Sequence, residues 1–336
     1  MDAQTKFCRL RDAIEQSGAE FFRMALWQDG AYFAHEFLPM SACSNLYSIS
    51  KVLTSTGVGL AYDEGLLKLE DPIVKYLGNH VPEEADPKIR EVTVRHLLTQ
   101  TSGIGQGSLF EADRYLGTGE DWIARVLGRA MPHQPGTVFT YDNGNYYMLS
   151  CIVEKVTELP LDRFLKTTLF RRMGIREFAW ERCPLEHTMG ATGCYMGLED
   201  LNKIGRLYAL GGSYEGRQLL SREWVEMAAA PYPNTSGTPY GFGFSSRPSG
   251  DFFCGGAHNQ VLHIASPKNR GDGTGIRRHA ADGSAYRAGH RRLRPHGRPN
   301  IFRDSRAMRT GEKGGAIWES WSSCPISARS WNVSFI

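Results

Sequence analysis

Apolar residues recur along the chain with two different periods, and the switches between them outline its elements. Phe7, Leu10 and Ile14 are spaced for one face of a helix over residues 6–16. FFRMALWQDGAYFAHEF, residues 21–37, splits into two aromatic-rich runs around Asp29-Gly30, the dipeptide of a tight hairpin. From Ser48 the period turns helical through Val52, Leu53, Val58, Leu60 and Ala61, with a stop at Gly65, where a C-cap glycine is expected. LKLEDPIVKYL leads to VTVRHLLTQTSGI, a helix predicted to halt at Ser102-Gly103. Further helices are predicted at 120–131, 161–172, 198–210 and 221–229. PGTVFTYDNGNYYMLSCIVEKVTELP reads as a turn, a short extended piece and a polar loop. A helix follows, with Tyr146, Leu149, Val153 and Val156 on one side. Residues 240–267 return to alternating apolar and aromatic positions with glycine turns, the pattern of two or three antiparallel strands.

Strands at both ends with helices between predict an α/β (α+β) protein, an antiparallel sheet flanked by helices with an inserted all-helical region. The expected division is 1–70 with 190–267 for the discontinuous sheet region and 71–189 for the helices. Residues 268–336 do not fit. Residues 271–336 hold eleven arginines and one leucine, Leu293, with no period of two or 3.6. Two readings of this Arg-rich tail stay open, disorder and a shifted reading frame. A third, attraction to an anionic polymer, is weaker, and no nucleic-acid partner is expected. Either open reading leaves the C-terminal part of the sheet unaccounted for, with an unpaired edge at 260–264.

Charge sharpens that boundary. The net of +3 hides residues 1–270, with 27 Lys and Arg against 31 Asp and Glu, and 271–336, with 12 against 5. The N-terminus lacks the apolar core of a signal peptide and no 18-residue apolar run occurs, so a cytoplasmic location and no membrane partner are expected. Seven cysteines, Cys8, Cys43, Cys151, Cys183, Cys194, Cys254 and Cys324, include no CxxC pair. Neither a disulfide framework nor a zinc site is indicated. The absence of GxSxG, HExxH, P-loop and dinucleotide fingerprints leaves metal and nucleotide cofactors without support.

The candidate chemistry begins at Ser48-Ile-Ser-Lys51. A serine hydroxyl is a poor nucleophile until a neighbouring base takes its proton, and one helical turn sets Lys51 beside Ser48. Such a tetrapeptide arises by chance about once in a chain this long. Tyr141-Asp-Asn143 follows 93 residues later, ahead of another helix. Its phenol can share and pass on a proton, and its amide can hold Lys51 or a substrate amide. Cys254-Gly255-Gly256-Ala257 lies on a late strand, before His258. Taken singly, Ser48 reads as an N-cap, Lys51 as a solvated helix face, Tyr141 as a core aromatic and Asn143 as a turn residue.

In this order and spacing the motifs resemble the serine β-lactamase and penicillin-binding-protein superfamily. The likeness is to the class C β-lactamase branch with its related esterases and D-amino-acid peptidases. HLLTQTSGI, PGTVFTYDN, LEDLNKIGRLYALGG and YGFGF add to it, over roughly residues 20–267. The resemblance implies a β-lactamase/transpeptidase-like fold, Ser48, Lys51 and Tyr141 as catalytic residues, and Asn143, Gly256, Ala257 and His258 at the substrate, with the Ala257 N–H as second oxyanion donor. It implies no cofactor and a small-molecule ester or amide substrate. Tyr232-Pro-Asn234 repeats the second motif but lacks a following helix, and is set aside. The third motif departs from the family. Cys254-Gly255 stands where β-lactamases carry Lys-Thr or similar, so the cation for a substrate carboxylate is missing. Esters or amides of neutral acids are therefore expected above penicillins and D-alanyl peptides. His258 could bind substrate, assist proton transfer or be purely structural. The expectation is a serine hydrolase, carboxylesterase-like before β-lactamase; the alternative is a catalytically silent penicillin-binding-protein-like binding or regulatory module.

Overall fold

Asp29 and Gly30 take φ values of 52° and 82°, the paired left-handed conformation that a two-residue hairpin turn requires. They join strand β1 (Arg23–Gln28) to β2 (Ala31–Glu36) in register from Arg23 opposite Glu36 to Gln28 opposite Ala31. The computed structural model describes residues 2–111, 114 and 121–265, and the backbone of 332–335. Its further strands are β3 (Cys43–Asn45), β4 (Phe178–Trp180), β5 (Cys194–Gly197), β6 (Ser213–Tyr214), β7 (Arg217–Gln218), β8 (Ser245–Ser246), β9 (Phe252–Gly256), β10 (Gln260–Ile264) and β11 (Asn332–Phe335). Its α-helices are α1 (Ala3–Ser17), α2 (Ser50–Asp63), α3 (Val74–Leu77), α4 (Val94–Leu98), α5 (Trp122–Leu127), α6 (Asn143–Thr157), α7 (Leu161–Thr168), α8 (Leu198–Ala209) and α9 (Arg222–Ala229).

The main sheet runs β2-β1-β11-β10-β9-β8, every neighbouring pair antiparallel. Helix α1 stacks Phe7 on Phe33 of β2 at 5.4 Å, and α8 lies against β1, β10 and β11. Met24 to Trp27 of β1 are buried. The α+β architecture expected from the pattern is therefore the one observed.

The expected sheet edge at 260–264 is corrected. Strand β10 pairs with β9 on one side and with β11 on the other, from Val261 opposite Phe335 to His263 opposite Val333. The tail thus supplies the strand between β10 and β1, where composition alone showed no strand signal. The rest of the tail, with its two readings, lies outside the described residues.

Two more differences have local causes. Strand β4 forms inside the stretch expected to be helical, because Phe178–Trp180 pairs with Cys194–Met196 in a second sheet, ordered β3-β5-β4. Helix α4 stops at Leu98, short of Ser102-Gly103, where Gln100 turns left-handed at φ 60°. The stop at Gly65 holds: α2 ends at Asp63, and Gly65 sits at φ 71° just beyond it.

Helices α2 and α6 form the centre and pack on each other. Residues Ser50–Ala61 and Asn143–Val153 are buried around the whole circumference, not along one stripe. Glycines of α2 let α7 and α9 come close to it. A β-carbon on Gly57 would lie 2.4 Å from Leu161 Cδ1, and one on Gly59 2.5 Å from Trp224 Nε1. Both helices begin at the same place, with the end of β9 beside the first. Among the described residues no helix is long and apolar enough to cross a membrane.

Candidate active site

Strand β3 delivers the chain into a single 3₁₀ turn, Tyr47–Ile49, which runs directly into α2. Tyr47 adopts φ 46°, a costly conformation for a non-glycine residue. It is held there by its N–H, which donates to Asn45 Oδ1 at 2.8 Å. The half-buried Ser48 follows at once. Its hydroxyl points at Lys51 and is not the α2 N-cap, since that residue is Ile49.

Lys51 is 1% exposed, so it is no solvated helix face. Its Nζ lies 2.7 Å from Asn143 Oδ1, 2.9 Å from the Ala191 carbonyl and 3.2 Å from Ser48 Oγ. As an ammonium group it donates to all three. A neutral amine has two hydrogens and one lone pair. Two of the three partners accept only, so they take the hydrogens, and the lone pair is left to the one partner that can donate, Ser48 Oγ–H. The cradle therefore fits lysine in both protonation states, and in the neutral state aims its lone pair at the serine proton.

The orientation of Asn143 is fixed from behind. Its Nδ2 donates to the Leu109 carbonyl at 3.1 Å, which turns Oδ1 toward Lys51. Asp142 caps α6 by accepting from Gly144 N at 2.7 Å, and its other oxygen accepts from Ser108 N at 2.8 Å. Burial pushes the Asp142 carboxyl above the usual aspartate range despite these donors. The Tyr141 ring lies under Lys51 Nζ at 4.7 Å from its centroid, and the Tyr146 ring at 5.9 Å. Burial also raises the Tyr146 phenol, whose hydroxyl donates to the Leu98 carbonyl at 2.8 Å.

The third motif closes the site from the sheet side. Gly256 ends β9 opposite Gln260, and Ala257, His258 and Asn259 form the exposed connection, the last two both at φ 61°. Gln260 reaches back, its Nε2 donating to the Asn45 carbonyl at 2.9 Å. Gly256 passes so close to the Ser48 turn that a β-carbon on it would meet the Leu46 carbonyl oxygen at 2.6 Å. His258 packs against Tyr47 with ring centroids 5.0 Å apart. Cys254 is 4% exposed, and burial drives its thiol well above the usual range, so it supplies neither a cation nor a thiolate.

Ser48, Lys51, Tyr141 and Asn143 thus converge, and Gly256 and His258 border the same turn. Ala257 follows Gly256 in the exposed connection. Tyr232 and Asn234 belong to a separate loop. Arg95 Nη1 donates to the Tyr232 hydroxyl at 3.1 Å, and Asn234 Nδ2 donates to the Tyr232 and Thr238 carbonyls. Sequence reading missed two parts, the Ala191 carbonyl and Gln100. The side chain of Gln100 bonds Asp142 on both its N–H and its C=O. Gly190, at φ 66°, was the available sign of the first. A β-carbon there would meet the Tyr146 carbonyl at 2.6 Å, so only glycine lets this turn approach α6. Among the described residues, no group of three or more His, Cys, Asp or Glu is placed to hold a metal.

The family model described as Beta-lactamase matches residues 41–271, more than half of the chain. PbpX of Bacillus subtilis is 25% identical over 225 residues, which are 60% of this chain and 53% of PbpX. Penicillin-binding protein 4 of Amycolatopsis lactamdurans is 32% identical over 136 residues, 39% of this chain and 34% of that protein. The chain therefore spans between a third and about half of the length of these relatives. A D-stereospecific amidohydrolase from a Streptomyces species shares the fold, with a TM-score of 0.61 and 18% identity over 79% of this chain and 91% of its own.

Proposed function

Because the chain belongs to the Beta-lactamase family, we propose that it is a serine hydrolase cleaving an ester or amide through an acyl-Ser48 intermediate. The observation that carries this reading is the Lys51 cradle, where two obligate acceptors leave the amine lone pair to Ser48 Oγ at 3.2 Å.

Lys51 takes the Ser48 proton as Oγ attacks the substrate carbonyl, and Tyr141, against the same Nζ, gives its phenolic proton to the leaving group and recovers one from Lys51, which leaves the amine neutral again. The developing oxyanion accepts from the N–H groups of Ser48 and Ala257. Collapse breaks the bond to the leaving group and leaves acyl-Ser48. Water then adds to the acyl carbonyl and gives a proton to the same base, and collapse frees the acid and returns the proton to Ser48. Asn143 holds Lys51 in place, while Gly256 and His258 contact substrate. Ser48 and Lys51 come from the 1–70 portion, Tyr141 and Asn143 from 71–189, so the substrate enters the cleft between them.

By the resemblance, Cys254 stands where a β-lactamase carries its cation, and its thiol is buried. We assign the substrate accordingly to small esters or amides of neutral acids. Labelling with a fluorophosphonate probe, followed by mass spectrometry of peptides, tests the reading. Modification is expected at Ser48. Folded protein that stays unlabelled would favour a silent binding module on the same fold.

A further inference from the structure

We propose that Gln100 is a positioning residue for this reaction, a buried amide splint that holds Tyr141 and Asn143 against Lys51. The inference rests on the proposed acyl-Ser48 chemistry.

Gln100 is fully buried, 0% exposed, and sits at φ 60°, where α4 has just ended. The left-handed backbone is costly for glutamine and needs compensation from its surroundings. The compensation goes to one place. Gln100 Nε2 donates to the Asp142 carbonyl at 3.0 Å, and Oε1 accepts from the Asp142 N–H at 3.1 Å. The second lone pair of Oε1 accepts from Asn145 Nδ2 at 2.6 Å, and the backbone carbonyl of Gln100 accepts from Thr140 N at 2.8 Å. All four bonds end in residues 140–145.

The geometry explains why the residue is glutamine. A primary amide offers a donor and an acceptor in one plane, which matches the N–H and C=O of a single extended residue. Asp142, at φ −147° and ψ 141°, is such a residue. Its N–H belongs to the peptide shared with Tyr141 and its C=O to the peptide shared with Asn143. Fixing both peptide planes fixes the directions in which the neighbouring side chains leave the backbone. Those side chains are the ring 4.7 Å from Lys51 Nζ and the amide oxygen 2.7 Å from it. Asparagine is one methylene shorter. Glutamate keeps the acceptor but sets an oxygen against the Asp142 carbonyl.

The test uses the full chain with a p-nitrophenyl ester, comparing Gln100→Met and Gln100→Glu with wild type. Methionine keeps the length and apolar volume and loses every side-chain bond. It is expected to lower kcat about 10–100-fold, as small misplacements of reacting groups do, with KM changed less than about threefold. The rate of fluorophosphonate labelling at Ser48 should fall in parallel, and glutamate should fall between methionine and wild type. A role in packing alone would lower the melting temperature of Gln100→Met and leave kcat of the folded fraction within about twofold of wild type, and that result overturns the inference. If the methionine variant does not fold, the glutamate variant decides, since wild-type kcat and labelling there would also overturn it. A wild-type protein that neither turns over ester nor labels at Ser48 removes the proposed function, and with it any reaction for Gln100 to position.

Discussion

Replacing Gly256 by alanine probes how closely β9 must approach the Ser48 turn. Gly256 is not at positive φ, so the substitution adds contact and not backbone strain. Its β-carbon would stand 2.6 Å from the Leu46 carbonyl oxygen, where ordinary contacts begin at 3.4 Å, so the two segments must part by about 0.8 Å. Neither yields freely. Leu46 is tied by its N–H to the Cys194 carbonyl at 2.8 Å and by its carbonyl to Ile49 N at 3.1 Å. On the other side, Gly256 is locked opposite Gln260, which itself holds Asn45. Overpacking of this kind costs about 1–3 kcal/mol, or a fall of roughly 2–8 °C in melting temperature for a protein of this size. Since a displacement near 1 Å can cost about 10²-fold in rate, kcat/KM for an ester should drop about 10–100-fold. Gly255→Ala is the control for stability, because its β-carbon meets nothing nearer than the Gln260 carbonyl at 3.7 Å. Its melting temperature should stay within about 1 °C of wild type. Differential scanning fluorimetry and p-nitrophenyl ester turnover read both quantities. Wild-type melting and turnover in Gly256→Ala would refute the close approach.

Ser48→Ala should abolish ester hydrolysis with an unchanged melting curve, and retained turnover would mean the reaction bypasses this hydroxyl. Lys51→Ala should lower kcat by about 10²–10⁴, the range for loss of a general base, whereas a loss below about tenfold would hand that role to Tyr141 or His258. Simple esters should exceed cephalosporins and D-alanyl peptides in kcat/KM, and the reverse order would show that another residue replaces the missing cation. His187 gives a pH signature outside the site. Its Nδ1 lies 2.9 Å from Glu154 Oε2, and that hydrogen bond raises the imidazole above its usual 6.5. A raised folded value means the pair stabilises fully below the unfolded value and is lost as pH rises through the folded one. His187→Gln should therefore lower the melting temperature more at pH 5.5 than at pH 9, and an equal loss at both would count against the pair.

Where local pattern and burial agree, the fold could be read in advance. Asp29-Gly30 fixed the hairpin because few residues but glycine and its partners tolerate two successive positive φ values. Gly65 marked the end of α2 for a related reason. Pattern failed where tertiary pairing decides. Phe178–Trp180 has too few residues to show alternation, and becomes a strand because β5 lies beside it. Strand β11 is the stronger case. Only β1 and β10, far apart in the chain, define the gap that Asn332–Phe335 fills. Helix α6 misled in another way: with Asn143–Val153 buried on all sides, the one-sided stripe of Tyr146, Leu149 and Val153 was only part of the buried surface.

The site divides along the same line. Ser48 and Lys51 are three residues apart and Tyr141 and Asn143 two, so each pair leaves a local trace in the sequence. The partners that make Lys51 usable do not. Ala191 is 140 positions from Lys51 and contributes a backbone carbonyl, which no residue type announces. Yet in the proposed reaction these partners carry the chemistry. Burying an ionisable amine at 1% exposure is costly unless every hydrogen finds an acceptor. A carboxylate would satisfy the ammonium form but be stranded, buried and unpaired, when the proton leaves. The described hydrogen-bond partners of Lys51 Nζ are instead a hydroxyl, an amide oxygen and a carbonyl, all neutral, with the Tyr141 ring face as a fourth contact. Neutral partners let the proton count on Lys51 change without leaving a bare charge behind, which the proposed role as a base restored in every turnover requires. Replacing the amide by a carboxylate in Asn143→Asp sets that logic against simple packing. The shape is nearly kept, the Leu109 carbonyl loses its donor, and a charge is placed 2.7 Å from the amine. The variant should fold and still show a large loss in kcat, as Lys51 becomes locked in an ion pair. Near-wild-type turnover would mean that the neutrality of the cradle is incidental.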